Sequence, residues 1–195
     1  MTGLLGGAFD PPHNGHVELA RRARERFGLA GLVVLVAARP GHKRANLDAA
    51  MRLRLARAAF PDDDVRSDEH ERTVDTLRTG DWDEPLFLIG ADQFCDFLEW
   101  RDPEGVLERA RLGVATRPGY PRERLEAVLE RLSRPDRVVV FDIDPMTVSS
   151  REVRERVARG EPIGDLVPAA VAALIEELGL YRGYTVPDRE DLTTR

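Results

Sequence analysis

Five consecutive apolar residues, Leu32-Val33-Val34-Leu35-Val36, lie between Gly31 and a turn at Arg39-Pro40-Gly41, with nothing polar among them. A strand that is apolar on both faces needs cover on both sides, which a parallel sheet between two layers of helices supplies. The pattern recurs at Leu86-Phe87-Leu88-Ile89, at Arg111 to Thr116 and at Arg137 to Phe141, and Leu4-Leu5 marks a first strand. Helical spacing fills the intervals. Val17, Ala20, Ala23 and Phe27 predict a helix that Gly28 stops, and Leu53, Leu55 and Ala56 one that Asp48 caps. Three more run from Arg124 to Leu132, Ser149 to Gly160 and Pro168 to Leu178. Together these elements make an α/β fold, one doubly wound parallel sheet with C-terminal helices over residues 1–182. The polar tail from Gly183 to Arg195 is expected to be loosely held.

Composition narrows the function classes. With 42% hydrophobic residues in 195, the chain can bury a sizeable core. No uncharged apolar stretch reaches membrane-spanning length, and the first residues lack the basic and apolar regions of a secretory signal. A lone cysteine, Cys95, excludes an intrachain disulfide and fits a cytoplasmic protein. The net charge of −6 speaks against a broad nucleic-acid surface but leaves small anionic ligands open. Among 29 Lys and Arg residues, Lys43 is the single lysine. Its compact, mobile ammonium does what a guanidinium does less well, although one lysine can also survive by chance.

Chemistry-bearing segments follow the predicted strands, the place where ligands bind in such folds. The first is Gly6-Gly7-Ala8-Phe9-Asp10-Pro11-Pro12-His13-Asn14-Gly15-His16. Its glycines allow a sharp turn and close approach to a ligand, and its prolines stiffen the exit. His13 and His16 then stand at the mouth of a helix starting near Asn14. Imidazoles and helix amides aimed at one point suit a phosphate and the charge that builds in an in-line displacement. Two other readings compete: His13, His16 and Asp10 as metal ligands, or two histidines capping a helix. Metal-binding pairs more often lie four apart, and neither alternative accounts for the glycines.

The last such segment is Val148-Ser149-Ser150-Arg151-Glu152-Val153-Arg154. Ser149 and Glu152 have the spacing of a capping box. Arg151 and Arg154 are expected in the first turn, where the helix dipole disfavours cations unless a polyphosphate binds. Gly90-Ala91-Asp92 offers close approach to a base or ribose and a carboxylate for hydroxyls or Mg²⁺. Trp100 is read as a packing residue or as a stacking surface for a flat heterocycle. Trp82, flanked by Asp81 and Asp83, is read as a surface loop residue and His70 as solvated.

The GGAFDPPHNGH loop, His42-Lys43, Thr73-Val74-Asp75-Thr76-Leu77, Ile89-Gly90-Ala91-Asp92-Gln93, Trp100, Arg117-Pro118-Gly119-Tyr120, VSSREVR, Leu166-Val167-Pro168 and Leu180-Tyr181 occur in this order. Together they resemble the HxGH nucleotidyltransferases, and within them the bacterial nicotinate-nucleotide adenylyltransferases. The resemblance implies that the 5′-phosphate of nicotinate mononucleotide attacks the α-phosphorus of ATP. The products are deamido-NAD and pyrophosphate, a step of NAD biosynthesis, with Mg²⁺ on the ATP phosphates. It implies catalytic roles for His13, His16, Lys43 and Arg154. Gly6, Gly7, Gly90, Asp92, Ser149 and Ser150 would join the histidines and Arg154 around ATP. Gly7, Ala8, Phe9, Lys43, Thr73 and Trp100 would contact the mononucleotide. No metal ligand from the protein is implied beyond an optional Asp92. The implied partners are ATP and nicotinate mononucleotide, with no nucleic acid and no membrane; a homo-oligomer is left open.

The chain departs from the family pattern at three places. Ala8 replaces a common Thr, Glu71-Arg72 replace a Ser-Tyr pair ahead of the Thr-x-Asp-Thr motif, and Arg151 replaces a Thr after the double serine. Phosphopantetheine adenylyltransferase is the nearest enzymatic alternative, but it carries Thr at the position of His13. Nicotinamide mononucleotide is the alternative substrate. A nucleotide-sensing domain that no longer transfers is the non-enzymatic one.

Overall fold

A computed structural model describes residues 1–40, 45–117, 119–144 and 147–185. Gly41, His42, Lys43, Pro118 and the tail beyond residue 185 lie outside the described residues. Strands β1 (Thr2–Gly7), β2 (Gly31–Ala37), β3 (Asp64–Asp68), β4 (Leu86–Gly90), β5 (Arg111–Thr116) and β6 (Val138–Asp142) pair in parallel as one sheet, ordered β3-β2-β1-β4-β5-β6. Helices are α1 (Asn14–Phe27), α2 (Ala49–Ala59), α3 (Thr73–Thr79), α4 (Ala91–Cys95), α5 (Pro103–Arg109), α6 (Arg122–Leu129), α7 (Ser150–Ala158) and α8 (Ala169–Glu177).

Each apolar strand divides its side chains between two cores. Leu5, Val34, Val36 and Leu88 pack with Leu19, Leu55, Val153 and Ile175, so α1, α2, α7 and α8 cover one face. Leu4, Val33, Leu35, Phe87 and Ile89 pack with Val74, Phe94, Val106 and Val128, so α3 to α6 cover the other. Each fully buried Leu or Val contributes about 1.5–3 kcal/mol, which is why uninterrupted apolar strands dictate this sandwich. The expected helix signals are in place. Gly28 ends α1 in the left-handed region at φ 58°, and the Asp48 carboxylate accepts from the Met51 N–H at 2.8 Å to cap α2.

Strand β3 departs from the apolar pattern. Its sequence, Asp64-Val65-Arg66-Ser67-Asp68, buries only Val65, because it forms the sheet edge and most of its side chains meet solvent. Gly90 therefore follows the fourth strand, not the third. Helices α3, α4 and α5 are too short to announce themselves by periodicity. Trp82 lies in a loop but is half-buried, and its indole N–H donates to the Thr76 carbonyl at 3.3 Å. Among the described residues no helix is long and apolar enough to cross a membrane.

The strand order reverses between β1 and β4, so connections leave these neighbours in opposite directions and open a crevice beyond their carboxyl ends. The histidine loop leaves β1 at that point.

Candidate active site

The glycines of the loop do not make its turn. Gly6 and Gly7 stay in β1, where a Cβ would sit 3.1 Å from the Phe87 ring and 3.2 Å from the Phe9 ring respectively. The turn falls on Phe9, at φ 50°. The Phe9 side chain is fully buried against His16 and Phe60, with ring centroids 5.0 and 6.1 Å away. It is a floor under the histidine, and Phe9 is not among the residues that line the cavity beyond the loop.

Two buried polar residues lock the loop. The Asp10 carboxylate accepts from the Tyr181 hydroxyl at 2.8 Å and from the Asn46 backbone and side-chain N–H groups at 2.6 and 3.0 Å. Burial, with Asp10 alongside, pushes the Tyr181 hydroxyl well above its ordinary value and keeps it a donor. Asp10 thus braces the loop, and among the described residues no group of three His, Cys, Asp or Glu could hold a metal ion. Arg52, only 1% exposed, donates to the carbonyls of Leu47 (3.1 Å), Ala8 (2.9 Å), Ala37 (2.7 Å) and Ala38 (3.0 Å). One guanidinium therefore ties the loop after β1 to the end of β2. Burial lowers its pKa from the ordinary arginine value.

His13 and His16 stack at the start of α1, ring centroids 3.8 Å apart. The His16 Nδ1 accepts from the His13 backbone N–H at 3.1 Å, which leaves the ring proton on Nε2. The capping reading is therefore correct in part and compatible with a donor role. His13 Nδ1 is buried without a hydrogen-bond partner, and burial pulls the His13 pKa down to about 4. Gly15 permits the stack, since a Cβ there would lie 3.0 Å from His13 Nδ1 and 3.4 Å from Val148. The first amide of α1 is not open to an anion: the Asn14 N–H donates to the Leu166 carbonyl at 2.8 Å.

Helix α7 closes on the same loop. Ser149 caps it, accepting from the Glu152 N–H at 3.2 Å, while the Glu152 carboxylate turns instead to Arg156 at 3.1 Å, so half of the capping box forms. Ser150 Oγ donates to the Pro11 carbonyl at 2.8 Å and Arg154 Nη1 to the Asp10 carbonyl at 2.5 Å. Of the two expected first-turn cations, Arg151 is exposed and paired with Glu155 at 2.7 Å. Arg154 lies in the second turn, pointing back along the helix to the loop.

A cavity of about 450 Å³ opens on the other side of the loop. Gly7, Ala8, Thr73 and Trp100, which the resemblance assigns to the mononucleotide, line it together, and so does Gly6, which the resemblance assigns to ATP. Trp100 packs as a core-edge aromatic, meeting Phe97 and Phe87 edge-on at 5.3 and 6.5 Å, and it also forms a cavity wall. Glu71 and Arg72, the departure ahead of the Thr-x-Asp-Thr motif, also line it, and so do Asp68, His70 and Arg101, which sequence reasoning missed. His70 keeps its side chain 37% exposed but is also pinned, with Nδ1 3.0 Å from Asp68 Oδ1 and Nε2 3.2 Å from Thr79 Oγ1. Thr76 donates to the other Asp68 oxygen at 2.7 Å, and Glu71 pairs with Arg39 at 3.7 Å. Arg72 and Arg101 have no ion-pair partner among the described residues.

His13, His16, Ser150 and Arg154 thus surround one end of the loop, and the cavity takes the other, with Gly7-Ala8 between. Gly90 caps α4 beside open space at the end of β4, outside the cavity lining. Asp92 is exposed, and its carboxylate accepts from the Tyr120 hydroxyl at 3.0 Å. Burial and the neighbouring Cys95 and Asp92 raise that hydroxyl above its ordinary pKa.

The geometry has known counterparts. The family described as cytidylyltransferase-like matches residues 4–156. A protein of Exiguobacterium sibiricum named "Probable nicotinate-nucleotide adenylyltransferase" is 39% identical, over 92% of this chain and 97% of that one. A Thermus thermophilus protein of the same name is 38% identical, over 92% and 98%. Among solved structures, a Plasmodium falciparum nicotinic acid mononucleotide adenylyltransferase complexed with NaAD superposes with a TM-score of 0.77 at 17% identity, over 93% of this chain and 97% of that one. At that identity the likeness is one of fold. From the match of sequence over nearly its whole length, the chain belongs to the nicotinate-nucleotide adenylyltransferases, enzymes of the cytidylyltransferase-like family.

Proposed function

We propose that this chain transfers the adenylyl group of ATP to nicotinate mononucleotide, releasing pyrophosphate and forming deamido-NAD, and that it does so in the cytoplasm. The observation that carries this is the two-ended loop: uncharged and cationic donors gather at one end, and an aromatic-walled cavity opens at the other. Relatives named for this reaction support it.

A phosphate oxygen of the mononucleotide attacks the α-phosphorus while the bond to the β-phosphate oxygen breaks. No protein nucleophile is needed, so the chain contributes position and charge stabilisation. The His16 Nε2–H, fixed by its Nδ1 contact, donates to phosphoryl oxygens as charge develops, with His13 beside it. Ser149, Ser150 and Arg154 hold the departing phosphates, and Lys43 neutralises charge near the transferring group. Gly7 and Ala8 admit the mononucleotide phosphate, Thr73 and Trp100 flank its ring, and Gly90 and Asp92 serve the nucleoside of ATP. Mg²⁺ arrives on the triphosphate and draws charge from its oxygens when bound. Arg72 and Arg101 bring guanidiniums to the cavity wall, which suits a ring bearing a carboxylate.

The test is a steady-state assay of pyrophosphate release from ATP with nicotinate mononucleotide, nicotinamide mononucleotide and phosphopantetheine in parallel. The acid should be turned over with the highest kcat/KM. Preference for either rival acceptor would overturn the substrate assignment, and release with none would indicate a sensor.

A further inference from the structure

Arg154 is a cation held without an anion. Among the described residues it has no carboxylate partner. Its Nη1 donates to the Asp10 carbonyl at 2.5 Å, and its Nε is buried with no hydrogen-bond partner. A guanidinium on a flexible stem would not keep one orientation on a single carbonyl contact. The second restraint comes from Tyr184, two residues beyond the expected end of the domain. The Arg154 guanidinium carbon lies 4.8 Å from the Tyr184 ring centroid, and Nη2 is 3.5 Å from its hydroxyl. Tyr184 is half-buried, packed against the core on the face that α1, α2, α7 and α8 cover, and its N–H donates to the Tyr181 carbonyl at 3.0 Å.

An aromatic face orients a guanidinium differently from a carboxylate. It attracts the cation through its quadrupole and covers one side from water, yet leaves the charge un-neutralised. That is what a group meant for a departing polyphosphate requires. A carboxylate in the same place would cancel the field and compete with the ligand for the N–H donors. The turn 181–184 holds the loop twice over: Tyr181 fixes the Asp10 carboxylate at 2.8 Å, and Tyr184 backs the arginine that donates to the Asp10 carbonyl.

We propose that Tyr184 is a positioning residue for adenylyl transfer, holding the Arg154 guanidinium in place without a neutralising carboxylate and aimed at the triphosphate. The inference rests on the reading of Arg154 as a phosphate-binding group. The experiment therefore sets Tyr184→Phe, Tyr184→Leu, Arg154→Ala and the Tyr184→Leu/Arg154→Ala double variant of the full chain beside the parent. Steady-state constants for both substrates and thermal melts are measured for each. Tyr184→Phe keeps the aromatic face and should retain the parent rate within about twofold. Tyr184→Leu keeps the apolar contact and should lower kcat/KM for ATP about tenfold, with KM for the mononucleotide changed by less than about twofold. In the Arg154→Ala background it should cost nothing further.

A loss in Tyr184→Leu that persists undiminished in the double variant, or falls equally on both substrates, would mark Tyr184 as merely structural. A rise in rate would mark the ring as a lid over Arg154. Either result overturns the proposal. If Arg154→Ala is itself as active as the parent, the phosphate role of Arg154 fails. If only Arg154→Ala is impaired, the role of Tyr184 fails alone.

Discussion

The two ends of the histidine loop are built differently. At the start of α1 and α7, a hydroxyl, a guanidinium and an imidazole close on the loop's own backbone, through Ser150 to Pro11, Arg154 to Asp10 and His16 to the His13 N–H. Beneath them Arg52 and Asp10 are buried and fully engaged. In the cavity, by contrast, Arg72 and Arg101 face open space without ion-pair partners among the described residues, and the wall is assembled from the β3–α3 connection and the turn before α5. Chemistry of charge needs donors fixed before charge appears. Recognition of a ring needs polar groups that remain unsatisfied until the ligand arrives. The loop from Gly6 to His16 joins one kind of construction to the other.

This contrast can be broken first at its rigid end. His16→Ala removes a donor aimed at developing charge and should lower kcat by about 10²–10³-fold with the fold intact by circular dichroism. Near-normal turnover would mean that the stacked pair is only a cap. Next in size is Arg52→Met, which keeps an apolar stem but leaves four carbonyls without their donor. It should reduce stability by about 3 kcal/mol, read as a lower denaturant midpoint with an unchanged slope. An unchanged midpoint would show that water replaces the guanidinium and that the loop is less buried than described.

A pH series sharpens the same end. The His13 pKa is about 4 in the folded chain, below the ordinary value of 6.5. Between these values the unfolded chain binds the extra proton, so stability is full above about pH 6.5 and falls as pH drops toward 4. The expected loss is about 2 kcal/mol, after allowing for partial exposure. His13→Gln should flatten that part of the profile; a profile identical to the parent's would place the titration elsewhere. The smallest effect belongs to the open end. Arg72→Gln removes a cation without shortening the wall much, and should reduce the preference for the acid over the amide mononucleotide about tenfold in kcat/KM. A preference that survives intact would shift carboxylate recognition to Arg101 or to the backbone.

What the amino-acid sequence discloses on its own follows the same division. Runs such as Leu32 to Val36 reveal their strands because burial on both faces leaves no room for polar side chains. Asp64 to Asp68 does not, because an edge strand needs only Val65 inside. The histidine loop and the double serine are legible because glycine, proline and imidazole crowd a strand exit for few other reasons. Arg52 is not: a buried arginine bonded to four carbonyls looks in sequence like any polar face of a helix. His70 stays hidden for a related reason, since its place in the cavity depends on β3 and α3, which leave no periodic trace. Tyr184 sits in a polar stretch, and only the position of Arg154 gives its ring a partner.

The central claim is that α1 and α7 present their donors to a single triphosphate. A crystal structure of the chain with a non-hydrolysable ATP analogue and Mg²⁺ tests it most directly. The account predicts phosphate oxygens within hydrogen-bond distance of both His16 Nε2 and the Arg154 guanidinium, with the cavity beside Trp100 left for the acceptor. A triphosphate that reaches only one of these groups, or a nucleoside seated in the Trp100 cavity with its phosphates turned away from Arg154, would contradict it.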